Sequence, residues 1–236
     1  MSRLGDTTSL NGITLKYANG SDSNFIQRAV QPVIFSFTTG TAGTGYVSSG
    51  CIKNMASNSR RQIERWLSTL KISGSVIDIG GLFWPVKGRT KIWDVNDYKI
   101  LDIKEGRKGI KTDYVYDLNT YVPLDGLPKF DNAFCVEVTD HLWNPIGAFE
   151  NIALLLKHGG MLYISSNFLF PHHTGFDCIR LTRTGLQKIL ERTGFKVLEI
   201  TPRFAVDDAL SKAMHKESKV VYHENEIGYF CVATKL

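Results

Sequence analysis

Two short stretches combine carboxylates and glycines in a way that suits a charged nucleoside ligand. Asp78 precedes Gly80 and Gly81, and Asp102 ends the next apolar run. Glycine directly after a strand lets a ligand approach the backbone without meeting a Cβ atom. A carboxylate can fix an ammonium group, and another at a strand end can accept hydrogen bonds from both hydroxyls of a ribose. The stretches therefore predict a site for an ammonium-bearing adenosine, although glycine and aspartate are also ordinary turn formers.

Histidines later in the chain are candidate general bases. His141 and His173 follow the fourth and fifth apolar runs. If the substrate reacts through a hydroxyl, a base must take its proton as the new bond forms. We predict His173 as the first candidate and His141 as the second, while His141 capping a strand end is the structural alternative. A metal site that adds His172 and Asp177 to these histidines is conceivable, but the spacing matches no known ligand pattern and no metal is assigned.

A parallel sheet would bring these residues to one edge. The apolar runs that predict strands are 75–79, 98–102, 114–117, 132–137, 161–165 and 196–200, with 229–234 as a further strand. Strands that alternate with helices favour a doubly wound, mostly parallel α/β sheet covered on both faces. Such sheets bind ligands beyond the carboxyl ends of their strands.

Three helices are predicted from their ends and their apolar stripes. A capping box of Ser59 and Gln62 opens the first. Asn144, followed by proline, opens the second, which Gly159 and Gly160 stop. Thr182 caps the third, which ends at Gly194.

Length and composition predict one sizeable domain with an appendage. The chain has 236 residues, 43% of them hydrophobic, which is ample for a buried core. Residues 1–55 are rich in Ser, Thr, Gly and Asn and are interpreted as an accessory lid or oligomerisation arm, through which a homo-oligomer could form. Residues 56–236 are predicted to form the catalytic domain. The glycines at 40–45 lack the Lys-Ser/Thr ending of a phosphate loop.

Charge and hydropathy exclude two other classes of protein. The net charge of +5 is spread along the chain, without the concentrated basic footprint of a nucleic-acid-binding protein. No apolar run is long enough to span a membrane, and the first residues lack the apolar stretch of a secretory signal. The four cysteines form no Cys-x-x-Cys pair. We therefore expect a cytoplasmic protein with reduced thiols and without a nucleic-acid partner.

Taken in order, the motifs resemble those of the class I S-adenosylmethionine (SAM) dependent methyltransferases of the type-11 group, especially members from glycan biosynthesis clusters. The matching segments are VIDIGG (76–81), ILD (100–102), DL (117–118), FCVEVTDHL (134–142), LLKHGGML (155–162) and PHH (171–173) with Asp177, Arg180, Thr182, Gly185 and Leu186. The last segment is the most specific. The resemblance implies a Rossmann-like methyltransferase fold, SAM as cofactor, and O-methylation of a small molecule or glycan.

The resemblance also assigns residues to the methionine and ribose parts of SAM. Asp78, Gly80 and Gly81 would hold the methionine end, and Asp102 would hold the ribose. Here the family's further glycine is replaced by the sequence from Leu82 to Pro85, which indicates a reshaped loop.

At the other end of the cofactor, the resemblance implies that Asp117 and Leu118 border the adenine, with Asp117 accepting from its amino group. The backbone of Cys135, Val136 and Glu137 would close the pocket.

Three alternatives stay open at this stage. Asp177 and Arg180 could pair only to brace their loop, because buried charges are normally paired. The missing glycine would suit a catalytically silent relative that acts as a binding or partner subunit. A nicotinamide-dependent enzyme on a similar sheet would need the G-x-G-x-x-G pattern, which is absent.

Overall fold

The structure is a computed structural model that describes residues 8–10, 13–15, 58–107, 109–124, 126–170, 172, 175, 177–204 and 226–236. The chain divides into two units, Met1–Lys53 and Asn54–Leu236. In the first unit, strands β1 (Thr8–Leu10) and β2 (Ile13–Leu15) form an antiparallel pair. The predicted role of residues 1–55 as a lid or an oligomerisation arm stays a prediction.

The second unit contains a seven-stranded sheet with the order β10-β11-β9-β8-β3-β4-β7. Its strands, in chain order, are β3 (Lys71–Ile79), β4 (Ile92–Asp102), β7 (Tyr114–Val115), β8 (Phe130–Val136), β9 (Leu156–Asn167), β10 (Phe195–Phe204) and β11 (Glu226–Lys235). The five strands from β7 to β9 in that order pair in parallel, and β11 pairs antiparallel with both β9 and β10. The predicted doubly wound, mostly parallel sheet is confirmed.

Helices pack on both faces of this sheet. They are α1 (Asn58–Leu67), α2 (Pro145–Leu155) and α3 (Arg183–Arg192). On one face, α2 and α3 bury the larger core with side chains such as Phe149, Ile152 and Leu190. On the other face, Ile63 and Leu67 of α1 pack in a second core that lies against the strands.

The connections on the α1 side of the sheet are short. Residues 80–91, which join β3 to β4, contain no helix. After β4, the strands β5 (Gly106–Arg107) and β6 (Ile110–Lys111) form a small antiparallel hairpin. No helix in the described part of the chain is both long and apolar enough to cross a bilayer.

Two of the predicted helix starts are confirmed. The side chain of Asn144 accepts a hydrogen bond from the N–H of Gly147 at 3.2 Å, and Thr182 accepts one from Gly185 at 3.0 Å. These bonds satisfy amide groups that have no partner inside the first helical turn.

The prediction of a capping box at the start of α1 is wrong. Ser59 lies inside the helix, and its hydroxyl accepts a hydrogen bond from the guanidinium of Arg203. The side-chain amide of Gln62 donates to the carbonyl of Phe204 at 2.7 Å and accepts from its N–H at 3.1 Å. The two polar side chains that resemble a cap therefore attach α1 to the end of β10.

The glycines predicted to stop α2 belong to the next strand instead. The helix ends at Leu155, and β9 begins directly at Leu156. The pairing of β9 with β8 shifts between its first and second contacts, which leaves four residues of β9 opposite one of β8. Gly159 has φ of +76° in this bulge, a conformation that glycine adopts without steric cost.

Candidate functional site

The predicted binding residues lie at the carboxyl ends of four adjacent strands. Parallel strands end at the same edge of a sheet, so β7, β4, β3 and β8 bring their following loops together. The turn after β3 is fixed to β4 by a 2.8 Å hydrogen bond from the N–H of Gly80 to the carbonyl of Leu101. Gly80 has φ of +71°, and a Cβ on it would stand 2.5 Å from Val138. Glycine is therefore required at this turn by both conformation and space.

The carboxylate of Asp78 is buried beneath this turn. Its Oδ2 accepts hydrogen bonds from the N–H of Val86 at 2.8 Å and from the hydroxyl of Tyr98 at 2.5 Å. Burial raises the pKa of Asp78 to about 6, against the opposing effect of the Tyr98 and Val86 bonds. Asp78 therefore anchors the loop after β3 to the strand β4.

Gly81 leaves the room that this carboxylate occupies. An added Cβ at Gly81 would lie 2.4 Å from the Asp78 carboxyl carbon, which no real contact allows. Both bonds to the carboxylate end on Oδ2, and Oδ1 has no donor among the described residues. A direct role of Asp78 in binding an ammonium group stays a prediction, for which Oδ1 is the available atom.

Asp102 lies at the tip of β4, beside the Gly80 turn. Asp102 is 9% exposed, and its Oδ1 accepts a 3.1 Å hydrogen bond from the N–H of Lys104. Within the described part of the chain, Oδ2 has no donor. Asp102 and Asp78 are close enough for the charge of Asp102 to raise the pKa of Asp78. The two carboxylates thus share one edge of the sheet.

The loop after β7 is joined to the loop after β8 by Asn119, a residue that was not among the predicted site residues. Oδ1 of Asp117 accepts from both the backbone N–H and the side-chain amide of Asn119, each at 2.9 Å. Asn119 then accepts from the N–H of Asn144 at 3.1 Å. Leu118 is buried, whereas Asp117 is exposed. The contact of these two residues with adenine stays a prediction.

The end of β8 supplies backbone rather than reactive side chains. The thiol of Cys135 is fully buried, and burial raises its pKa to about 12. Val136 is the last residue of the strand, and its side chain packs against the core on the α1 face of the sheet. Glu137 follows with φ of +58°, which is uncommon for a residue with a side chain. The chain therefore turns sharply at the position where the cofactor pocket is predicted to close.

A buried polar network holds Glu137 in this conformation. Its Oε1 accepts hydrogen bonds from Ser165 at 2.7 Å and from Arg203 at 2.6 Å, and its Oε2 accepts one from Asn167 at 3.2 Å. Arg203 is fully buried and also bonds to Ser59. The network therefore ties the ends of β8, β9 and β10 to the start of α1.

Neither Glu137 nor Arg203 was expected to form this network, because 66 positions separate them. The available signal was a lone arginine in the otherwise regular strand β10. A buried arginine requires a carboxylate nearby.

The first predicted base, His173, lies outside the described residues. The second, His141, belongs to a 3-10 turn (Thr139–His141) after β8, and its carbonyl accepts a 3.5 Å hydrogen bond from Asn119. It lies at the same edge of the sheet as Glu137. The next loop is joined to this turn, because the N–H of Cys178 donates to the carbonyl of Asp140 at 2.7 Å.

A histidine that was not the preferred candidate carries the arrangement expected of a base. His172 Nδ1 lies 3.2 Å from Asp177 Oδ2, and the same carboxylate pairs with both terminal nitrogens of Arg180. The His172 side chain is 73% exposed, whereas that of Asp177 is 10% exposed. A carboxylate held at one ring nitrogen orients the imidazole and leaves the other nitrogen for a substrate.

These residues line an open cavity of about 340 Å³ after β9. Its walls are Phe170, His172, Asp177, Cys178, Ile179 and Arg180. The predicted pairing of Asp177 with Arg180 is confirmed, and the pair also positions His172. Among the described residues, no group of three His, Cys, Asp or Glu side chains is arranged to hold a metal ion.

Three solved structures of similar fold are described as methyltransferases. A putative methyltransferase from Bacillus halodurans is 16% identical, with a TM-score of 0.52 over 75% of this chain and 99% of that one. One from Archaeoglobus fulgidus, SAM dependent, is 16% identical, with a TM-score of 0.51 over 74% and 92% of the two chains. Another from Mesorhizobium loti is 16% identical, with a TM-score of 0.50 over 74% and 96%.

No family model and no curated protein matches the sequence. The structural likeness covers three quarters of the chain and almost the whole of each of these three proteins. The chain therefore has the class I, Rossmann-like fold of the SAM-dependent methyltransferases.

Proposed function

We propose that this protein transfers the methyl group of SAM to a hydroxyl group of a small molecule or glycan. One observation carries the proposal: Asp102 and the Gly80–Gly81 turn lie side by side at the carboxyl edge of a methyltransferase fold. Asp102 retains an acceptor oxygen for a ribose hydroxyl. The two glycines of the turn leave room for the side chains of Val138 and Asp78, which an added Cβ would contact at 2.5 and 2.4 Å. These features fit an adenosyl amino acid.

SAM, when bound, supplies an activated methyl group on a sulfonium, so that the protein contributes mainly alignment. Asp102 would bind the ribose, and Asp117 with Leu118 would border the adenine. The Gly80–Gly81 turn and the sharp bend at Glu137 would hold the methionine end between them. The interactions of Asn119 with the loop after β8 support the adenine side of this pocket.

The cavity after β9 would receive the acceptor. His172 would take the proton of the acceptor hydroxyl at Nε2, while Asp177 holds Nδ1 and stabilises the positive charge that develops on the ring. Arg180 donates hydrogen bonds to Asp177 and holds it in place. Asp177 and Arg180 are therefore positioning residues.

Replacing Asp102 by alanine is expected to abolish the stabilisation of the protein by SAM or S-adenosylhomocysteine. A ligand that binds only the folded state raises the free energy of unfolding, by about 2.7 kcal/mol when its concentration is a hundred times its Kd. The melting temperature rises accordingly. Differential scanning fluorimetry with each ligand measures this. Asp113→Ala is the matched control, because Asp113 lies in the same region but bonds the backbone of Ile100. A wild-type protein without any shift at millimolar ligand would contradict the proposal.

Replacing His172 by alanine is expected to lower methyl transfer by about a hundred-fold or more, with the SAM-induced thermal shift unchanged. The measurement follows tritiated methyl groups from SAM into a panel of hydroxylated sugars and metabolites. His173→Ala is the comparison, because the sequence alone favours His173. Should His173→Ala lose transfer while His172→Ala keeps it, the assignment to His172 is wrong and the sequence-based prediction holds.

The same assay addresses the silent alternative. A catalytically silent relative would bind SAM or nothing and would transfer no methyl group to any acceptor. The glycan class of acceptor and the cytoplasmic location stay predictions.

A further inference from the structure

An exposed surface of mixed aromatic and basic character lies beside the candidate cofactor edge. The aromatic–basic surface consists of Phe83, Trp84, Ile103, Lys104 and Arg107, all of them exposed. Phe83 is 43% exposed, Trp84 67% and Ile103 54%. Large apolar side chains with this exposure are usually scattered singly, whereas here three lie on two neighbouring loops.

Cation–π contacts show that the two loops form one surface. The guanidinium carbon of Arg107 lies 3.9 Å from the centre of the Phe83 ring, and Lys104 Nζ lies 5.2 Å from it. Arg60, from α1, lies 4.1 Å from the Trp84 ring. The loop after β3 and the hairpin after β4 are therefore held together by aromatic rings and cations.

The charge of this surface is positive, because two of its five residues, Lys104 and Arg107, are cations. Residues 103–111 include four cations, at 104, 107, 108 and 111, and one carboxylate, Glu105. The side chains of Lys104 and Arg107 form no ion pair with the described residues. An occupant of this surface must therefore be negatively charged, and it must also cover apolar side chains.

We propose that the aromatic–basic surface docks on the face of an anionic phospholipid bilayer. Phosphate headgroups would pair with Lys104 and Arg107, each of which adds attraction to a negatively charged leaflet. Trp84, Phe83 and Ile103 would enter the boundary between headgroups and acyl chains, where amphipathic rings are favoured. The protein would lie on the membrane without crossing it.

Single-stranded nucleic acid is the other polyanion that binds aromatic and basic side chains. It binds by stacking its bases on open ring faces. Here Arg107 and Lys104 lie over the Phe83 ring and Arg60 lies over the Trp84 ring, so that these cations compete with a base for stacking on the two rings. Ile103 has no ring at all. A lipid surface uses exposed apolar area instead, and it is therefore favoured.

Docking in this way has a consequence for the candidate site. Lys104 donates its backbone N–H to Asp102, and Phe83 follows the Gly80–Gly81 turn after Leu82. The surface is thus continuous with the predicted cofactor edge. That edge would face the headgroup layer. Vesicle binding itself requires no methyl transfer, so it can be tested independently of the proposed function.

The test is co-sedimentation of the full chain with vesicles of phosphatidylcholine alone or mixed with phosphatidylglycerol. We expect binding to the mixed vesicles that weakens as salt is raised. Lys104→Gln with Arg107→Gln is expected to lower the partition coefficient about 30-fold, since each cation near such a surface contributes roughly five-fold. Trp84→Ser is expected to lower it about ten-fold through the lost apolar burial.

Matched variants elsewhere on the protein provide the control. Lys188→Gln with Lys196→Gln removes two exposed cations, and Leu154→Ser removes an exposed leucine that is 43% exposed on α2. These should leave vesicle binding unchanged. The proposal would be overturned if the wild type did not bind the mixed vesicles, or if the Lys104–Arg107 variant bound them equally well. Binding to single-stranded RNA instead of vesicles would also overturn it. If Trp84→Ser fails to fold, the variant with Lys104→Gln and Arg107→Gln still tests whether this surface binds the vesicles.

Discussion

Replacing Glu137 by glutamine is expected to destabilise the fold by about 3–5 kcal/mol, the range for a buried ion pair that loses one partner. Arg203 has no exposed surface, and its Nη1 lies 2.6 Å from Glu137 Oε1. Glutamine would leave that guanidinium buried without a compensating charge. Urea unfolding of the two proteins at neutral pH measures the difference.

Removing the other partner is expected to cost less. The Glu137 side chain is 30% exposed, so that in Arg203→Met its carboxylate can still reach water. The double variant, Glu137→Gln with Arg203→Met, should recover much of the loss, because no buried charge remains. A cycle in which the two single variants cost the same and the double variant costs their sum would show that the pair does not act as a unit.

Replacing Asp78 by asparagine is expected to raise stability at neutral pH and to remove a pH dependence. Burial raises the pKa of the folded-state carboxyl from 3.8 to about 6. The native state therefore holds the proton more tightly than the unfolded state does, and stability falls as pH rises from about 4 to about 6. The free energy of unfolding decreases by about 3 kcal/mol over this range, and the decrease is complete above pH 6. Asparagine keeps an acceptor for Val86 and Tyr98 without carrying the charge.

Asp131 provides a control with the opposite sign. Its bonds to Lys157 and to Ser75 lower its pKa to about 2. It therefore stabilises the protein above pH 4, and that stability is lost as pH falls towards 2. Asp131→Asn should destabilise the protein at neutral pH, whereas Asp78→Asn should not. Urea unfolding at pH 4, 6 and 8 distinguishes the two, and a wild type that becomes more stable relative to Asp78→Asn as pH rises would contradict the assignment.

The same Asp78 variant tests the role that the sequence assigns to this carboxylate. If Oδ1 binds the ammonium group of SAM, Asp78→Asn should lose SAM affinity while it gains stability. If Asp78 only anchors the loop, SAM affinity should be retained.

The sheet was predictable because its strands are apolar runs that end in distinctive residues. The sequence places the ends of β3 and β4 at Ile79 and Asp102, where the structure has them. Asn144 and Thr182 were recognised because caps act within four residues. Ser59 and Gln62 have the same local pattern, but their partners lie on β10, more than 140 positions away. Local pattern cannot distinguish a cap from a tertiary bond.

The candidate site was predictable in its location and less so in its side chains. Strand order brings Gly80, Asp102 and Asp117 to one edge whatever their rotamers are. The hydrogen bonds of Asp78, by contrast, depend on Tyr98, whose position across the sheet fixes the direction of the carboxylate. The contact between His172 and Asp177 was likewise not predictable, since a loop has no periodicity that tells which side chains meet.

The position of β11 constrains the order in which the protein can be completed. In the described residues, β10 pairs with β11 alone, although β11 comes after β10 in the chain. While a ribosome is still synthesising β11, β10 therefore has no strand to join, and β9 presents an open row of amide and carbonyl groups. An open strand edge invites pairing with other chains. The edge of β9 is therefore protected from such pairing only after β11 has been made and has joined the sheet.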